Sequence, residues 1–158
     1  MGVCDILSPN QVSVANEAEG PVRSKADALR RLAGLLARGQ GEVHSEEIER
    51  VLADRERLQS TGVGGGVAIP HGAIDRIERL VGAVLLCPEP IEFDAIDNAP
   101  VSILFAVIGP KRQTGEHLKT LARVSRLLRN EAFREKLLRS ADGRSAFELM
   151  SEEEGKAK

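Results

Sequence analysis

The chain has 158 residues, 42% apolar and 29% charged, with a formal net charge of −2. That length and mix describe one folded domain, able to bury roughly 70% of its unfolded surface. A near-neutral charge leaves no basic footprint for nucleic acid or an anionic membrane. Four Phe with neither Trp nor Tyr give an aliphatic core and no stacking platform for single strands.

The opening MGVCDILSPNQV has no basic region and no long apolar core, so it does not read as a secretory signal. Ile6 stands where a myristoylation motif needs Ser or Thr. No apolar run reaches the length of a membrane span, which predicts a cytoplasmic protein with no direct membrane insertion. Cys4 and Cys87 lack metal-ligand spacing and read as reduced thiols. No His, Cys and carboxylate cluster has metal spacing either, and no cofactor is expected.

In chain order, Val12 and Val14 alternate with polar neighbours and suit a short strand. Ser24, with Asp27 three residues on, starts a helix that Leu29, Leu32, Ala33 and Leu36 continue until Gly39–Gly41. Ser45 with Glu46 and Glu47 opens a second helix, with Ile48, Val51 and Leu52 as its apolar face and an end near Arg57. Val67–Ile69 is the next strand. Val81–Cys87 and Val101–Ile108 are continuous apolar runs, as expected of strands covered on both faces. Asp97-Asn98 marks a turn between them. Thr114 is placed to cap a helix carrying Leu118, Leu121, Val124 and Leu128, and shorter helices pass through Phe133 and Leu137 and through Phe147. The final SEEEGKAK, residues 151–158, reads as a disordered tail. The order of helices, strands, then helices predicts a single α+β domain over residues 5–150. Its layers are α/β/α, a mixed sheet flanked by helices on both faces.

The segment Ser60–Gly72, STGVGGGVAIPHG, carries the chemistry. It is not a nucleotide loop: no Gly-Lys-Ser/Thr ending is present, and a helix precedes the glycines where a dinucleotide fold needs a strand. What remains is a loop whose backbone can approach a bulky neighbour, followed by Pro70-His71-Gly72. Pro70 stiffens the backbone before His71 and Gly72 removes bulk after it. This describes either an approachable functional imidazole or a turn with an incidental surface histidine. His44, in a polar loop, reads as surface. Asp94 and Asp97 are better explained by a hairpin turn than by catalysis.

The runs RERLQSTGVGGGVAIPHG, PIEFDAIDNAPVSILFAVIGP and TGEHLKTLARVSRLL together resemble the type-2 enzyme IIA proteins of the bacterial phosphoenolpyruvate-dependent phosphotransferase system. This is the fructose/mannitol class, and the resemblance is nearest to its nitrogen-regulatory branch, enzyme IIA-Ntr. It implies a phosphoryl carrier, a phosphotransferase that accepts phosphate on His71 from HPr or a nitrogen-branch HPr-like phosphocarrier. His117 matches the second histidine of the family and implies a donor to the phosphoryl group. Arg55 matches its arginine upstream of the loop, with Arg57 as the alternative. The implied onward partners are regulatory target proteins or, for a sugar-specific member, an enzyme IIB. Many members have Asn where this chain has Gly65.

Overall fold

The computed structural model of the chain describes residues 2–41 and 43–156. The elements run β1 (Val12–Val14), α1 (Lys25–Ala37), α2 (Ser45–Leu58), β2 (Gly62–Gly64), β3 (Val67–Ala68), β4 (His71–Ala73), β5 (Val81–Ile91), β6 (Val101–Gly109), α3 (Thr114–Leu127), α4 (Glu131–Leu138) and α5 (Gly143–Lys156). They form one mixed sheet in the order β1-β5-β6-β3-β2, with β4 also paired to β6. Strands β5 and β6 are antiparallel, from Val81↔Ile108 to Leu86↔Ile103. On the other edge of β6 lie two short parallel strands in succession, β3 against Ile103 and Leu104 and β4 against Val107 to Gly109.

The continuous apolar runs are explained by period-two alternation into two cores. Ala83, Leu85, Cys87, Leu104, Ala106 and Ile108 pack with Leu29, Leu32 and Leu36 of α1 and Ile48 and Leu52 of α2. Val84, Leu86, Ile103, Phe105 and Val107 pack with Val124, Leu128, Phe133, Leu137, Ala146 and Met150 on the opposite face. Each Val, Leu, Ile, Phe or Met side chain among them contributes about 1.5–3 kcal/mol on leaving water, and each Ala less. The three-layer architecture with helices on both faces is therefore the one expected from the sequence.

Helix α1 begins as read: Ser24 Oγ accepts from the Asp27 N–H at 3.1 Å, and the Asp27 carboxylate accepts from the Arg23 N–H at 3.1 Å. Two other expectations are corrected. Thr114 does not cap α3 but is its first residue, after a 3-10 turn at Lys111–Gln113, and its hydroxyl donates back to the Lys111 carbonyl. Residues 151–156 of the expected tail are helical, the last turns of α5. The reason is a tertiary acceptor: the Glu154 carboxylate takes the backbone N–H of Val3 and that of Cys4, the latter at 3.0 Å. The rest of that tail, residues 157–158, lies outside the described residues. No described helix is long and apolar enough to cross a membrane.

Two glycines make opposite predictions. Gly34, inside α1, has nothing within 4 Å of a Cβ built on it, so Gly34→Ala should stabilise by about 0.5–1 kcal/mol through the unfolded chain. A Cβ on Gly143 would sit 1.8 Å from the Val12 carbonyl oxygen, so Gly143→Ala must push α5 off β1. It should destabilise by roughly 1–3 kcal/mol, and urea unfolding of both variants checks the pair.

Candidate functional site

The glycine loop is the tight connection between β2 and β3. Gly64, Gly65 and Gly66 take φ of 100°, 67° and 81° in succession, three left-handed positions that only glycine accepts in a row without strain. Gly62 is needed for a different reason, since a Cβ there would lie 2.6 Å from the Ala95 Cβ. The loop between β5 and β6 holds it in place. Asp97 Oδ2 accepts from the Gly65 N–H at 3.2 Å, and the Gly62 carbonyl accepts from the Ile96 N–H at 3.2 Å. Ser60 Oγ donates to the Phe93 carbonyl at 3.2 Å and accepts from the Gly62 N–H at 3.1 Å. Asp97 is thus more than a turn residue, although it does serve its turn by accepting from the Ala99 N–H at 3.1 Å.

Strand β3 ends at Ala68, and Pro70 interrupts the ladder as a residue without an N–H must. Its carbonyl still accepts from Val107 at 2.9 Å, and β4 resumes at His71. His71 therefore opens a strand of its own, in register with Val107, and does not hang from the end of the preceding one. Its ring is half-buried, with Nδ1 2.8 Å from the Ile69 carbonyl oxygen. A carbonyl only accepts, so Nδ1 carries the proton and Nε2 keeps a lone pair. Gly72 leaves space that α2 takes up, for a Cβ there would meet Val51 Cγ1 at 2.5 Å.

His71 lies on the wall of a cleft of about 440 Å³ that Arg55, Val63, Ile96, Leu121 and Ala122 also line. Arg55 is brought to the site, its Nη1 donating to the Gln59 carbonyl at 2.9 Å. Arg57 is turned away, paired with Asp54 at 2.7 Å and lining a different groove with Lys25 and Glu56. His117 sits in the first turn of α3 and does not line the cleft. Its Nε2 is buried with no hydrogen-bond partner among the described residues. Room for the ring comes from Gly109 at the end of β6, where a Cβ would approach that Nε2 to 3.3 Å. Burial, and after it the charge of the nearby His71, holds His117 below the ordinary histidine value.

Of the remaining sequence candidates, His44 is exposed at the start of α2, as read. Asp94 is exposed, in a left-handed turn conformation (φ 55°) and loosely paired with Lys25 at 3.7 Å. Burial pushes both thiols up to about 12, with Glu154 adding to the effect at Cys4, so neither is a nucleophile at neutral pH.

An imidazole on the wall of an open cleft with its Nδ1 already held, a guanidinium on the same wall and a second imidazole nearby can support group transfer. The sequence model of the family described as "Phosphoenolpyruvate-dependent sugar phosphotransferase system, EIIA 2" matches residues 6–153, and the chain belongs to that family. It is 34% identical to a nitrogen regulatory protein of Bradyrhizobium diazoefficiens, over 96% of this chain and 95% of that one. It is 32% identical to a fructose-specific EIIA component of Haloferax volcanii, over 96% and 98%. Among solved structures, nitrogen regulatory protein IIA-Ntr of Neisseria meningitidis superposes with a TM-score of 0.83 at 31% identity, covering 94% of this chain and 98% of that one.

The pH behaviour of His117 follows from its setting. Its folded pKa is depressed, so its contribution to stability is fully present above the unfolded value of about 6.5. That contribution is lost as pH falls through 6.5 toward the lower folded value. Imidazole NMR titration should place His117 below 6.5, and His117→Gln should flatten the fall in stability on acidification below that pH. A His117 midpoint at or above 6.5 would contradict this account.

Proposed function

We propose that the chain is a cytoplasmic phosphoryl carrier of the phosphoenolpyruvate-dependent phosphotransferase system, working as a nitrogen or metabolic regulator and accepting phosphate on His71. One observation carries the reading: the His71 ring is fixed through Nδ1 to the Ile69 carbonyl, leaving Nε2 as the nucleophile on the cleft wall. The donor is a phosphohistidine on HPr or a nitrogen-branch HPr-like carrier. The Nε2 lone pair attacks phosphorus. The new P–N bond forms as the donor's P–N bond breaks, and that electron pair stays with the donor imidazole.

Charge spread over the three equatorial oxygens must be met by fixed donors. Arg55 supplies one from the cleft wall. His117 supplies another through Nε2–H. An unpartnered buried donor costs about 1–3 kcal/mol, a cost relieved when a phosphoryl oxygen reaches it. At neutral pH the depressed pKa keeps His117 an uncharged donor.

Docking is supported by the surface around the cleft. The exposed large hydrophobic residues among those described are Leu58, Val63, Ile96 and Leu118. Val63 and Ile96 line the cleft, Leu58 adjoins the lining residue Gln59, and Leu118 lies one turn before Leu121 and Ala122. An apolar rim of this kind lets a partner exclude water during transfer. It also makes phosphorylation a switch: about −1.5 to −2 charges arrive beside an apolar rim, with Arg55 the one guanidinium lining the cleft to offset them. A regulatory target lacking a facing Arg or Lys should prefer the unmodified protein. The similarity to a fructose-specific component supports a second reading, in which phosphate passes from His71 to an enzyme IIB.

Incubation with phosphoenolpyruvate, enzyme I and an HPr-like carrier should put acid-labile, base-stable label on the wild type and none on His71→Ala. His117→Ala should remain folded and exchange phosphate about 10²–10³-fold more slowly. Label retained on His71→Ala would sink the assignment. For the switch, His71→Asp should recover less of a regulatory target from lysate than His71→Ala. Equal recovery by the two would place regulation on another surface.

A further inference from the structure

Glu56 is a buried carboxylate that the transfer chemistry leaves unused, and its contacts lead to the reactive ring. It follows Arg55 near the end of α2 but faces the other way, with 6% of its surface exposed. Its Oε1 accepts from the Thr61 N–H at 3.0 Å and from the Thr61 hydroxyl at 2.5 Å. Its Oε2 pairs with Lys25 Nζ at 2.8 Å. That ammonium in turn stands 4.7 Å over the centroid of the Phe93 ring, joining the start of α1 and the loop after β5 to the same point.

The next contacts run in one direction. The Thr61 carbonyl accepts from the Ile69 N–H at 2.9 Å, and the Ile69 carbonyl is the group 2.8 Å from His71 Nδ1. We propose that Glu56 is a positioning residue for the proposed phosphoacceptor: by anchoring Thr61 it fixes Ile69, and so fixes the orientation and tautomer of His71. The inference rests on the reading of His71 given above. Glu56 acts mechanically, because the N–H and the carbonyl of Thr61 belong to different peptide groups and no polarisation passes between them.

Stability alone is a poor reason for this pair. Buried ion pairs are often replaceable by apolar groups at no loss, and α2 already buries Ile48 and Leu52 beside α1. Burial acts to raise the Glu56 pKa, but the Lys25 ammonium and the Thr61 hydroxyl outweigh it and keep the group below the ordinary range. It is therefore ionised at neutral pH and able to accept three hydrogen bonds at once. Thr61 itself is 4% exposed, so in the intact protein its N–H and hydroxyl depend on the Glu56 carboxylate.

The test compares two neutral double variants, one that keeps that acceptor and one that removes it. Lys25→Met with Glu56→Gln keeps an amide oxygen for the Thr61 N–H. Lys25→Met with Glu56→Ala removes it without stranding a charge. The first readout is the nitrogen NMR of the His71 ring in unphosphorylated protein, which reports the tautomer whatever the chemistry. The Gln variant should retain a protonated Nδ1 and a lone-pair Nε2, whereas the Ala variant should show the two forms averaged. The second readout is transfer from an HPr-like carrier, where the Ala variant should lose on the order of 10- to 10²-fold in kcat at unchanged KM.

If both doubles give the same ring shifts and rates, or the Ala double does not fold, Glu56 belongs to the core alone and the proposal falls. If the ring shifts separate the two variants while His71 takes no label in the wild type, the positioning role stands. In that case it is the phosphoacceptor reading that fails.

Discussion

Strand β6 is the neighbour that most of this structure shares. It is buried on both faces and paired along both edges, to β5 on one side and to β3 and β4 on the other. A strand so enclosed has no freedom of register, because a shift by one residue would exchange its two sets of core side chains. Phe105 and Val107 would then face α1 and α2, and Leu104 and Ala106 would face α3 to α5. The fixed register is what places His71. Proline at position 70 denies the ladder one N–H, yet its carbonyl keeps the spacing by accepting from Val107, so β4 restarts in register and the imidazole leaves the sheet at a determined point. The same strand ends at Gly109, which admits the His117 ring. Two histidines 46 positions apart in the chain are thus brought together by one strand.

How much of this was legible depended on whether the signal was local. Strands β5 and β6 were plain because being covered on both faces leaves an unbroken apolar run. The start of α1 was plain because Ser24 and Asp27 satisfy their own backbone. Strand β4 was not, since His-Gly-Ala has no strand propensity and is extended only because β6 lies beside it. Thr114 misled because a threonine hydroxyl can donate backward as easily as it can accept, and a 3-10 turn had already begun the helix. The end of α5 was hidden for a related reason: SEEEGK is a solvated segment until Glu154 meets two free amides from the other end of the chain. Within the site, Arg55, His71 and His117 came from resemblance, with the glycine loop as the one local sign. Ser60 and Asp97 were read as loop residues, and nothing in their spacing disclosed that they brace the glycines.

The bracing has a physical logic. Three consecutive left-handed glycines are conformationally expensive to order, because glycine loses more freedom on folding than any other residue. A loop of this kind holds one shape only if its amides and carbonyls are tied elsewhere. Here the ties come from the β5–β6 connection: Phe93, Ile96 and Asp97 each hold one point of the hairpin, and Ala95 fills the space a side chain at Gly62 would need. The family's frequent Asn at position 65 fits the same account. Asn tolerates the left-handed region, and the nearest atoms to a Cβ at Gly65 belong to the Arg134 guanidinium, in ordinary van der Waals range at 3.6 Å and beyond.

A relay must also release what it accepts, and this limits how strongly its site can favour phosphate. Donors that hold the bound group as tightly as the transition state lower the ground state and gain nothing in rate. In the proposed role the cleft observes that limit. Its lining contains one guanidinium, Arg55, with part of its donor capacity already given to the Gln59 carbonyl. The second imidazole is held neutral at pH 7, so it offers a hydrogen bond without a full charge. The rest of the rim, Val63, Ile96, Leu121 and Ala122, carries no charge at all. A phosphoryl group on Nε2 would be stabilised enough to persist between encounters, yet left under-compensated at the surface. A partner bringing its own positive charge would complete the compensation and favour departure. A partner without one would be repelled. In the proposed role the same imbalance of charge would therefore serve both transfer to the next carrier and discrimination by a regulated target.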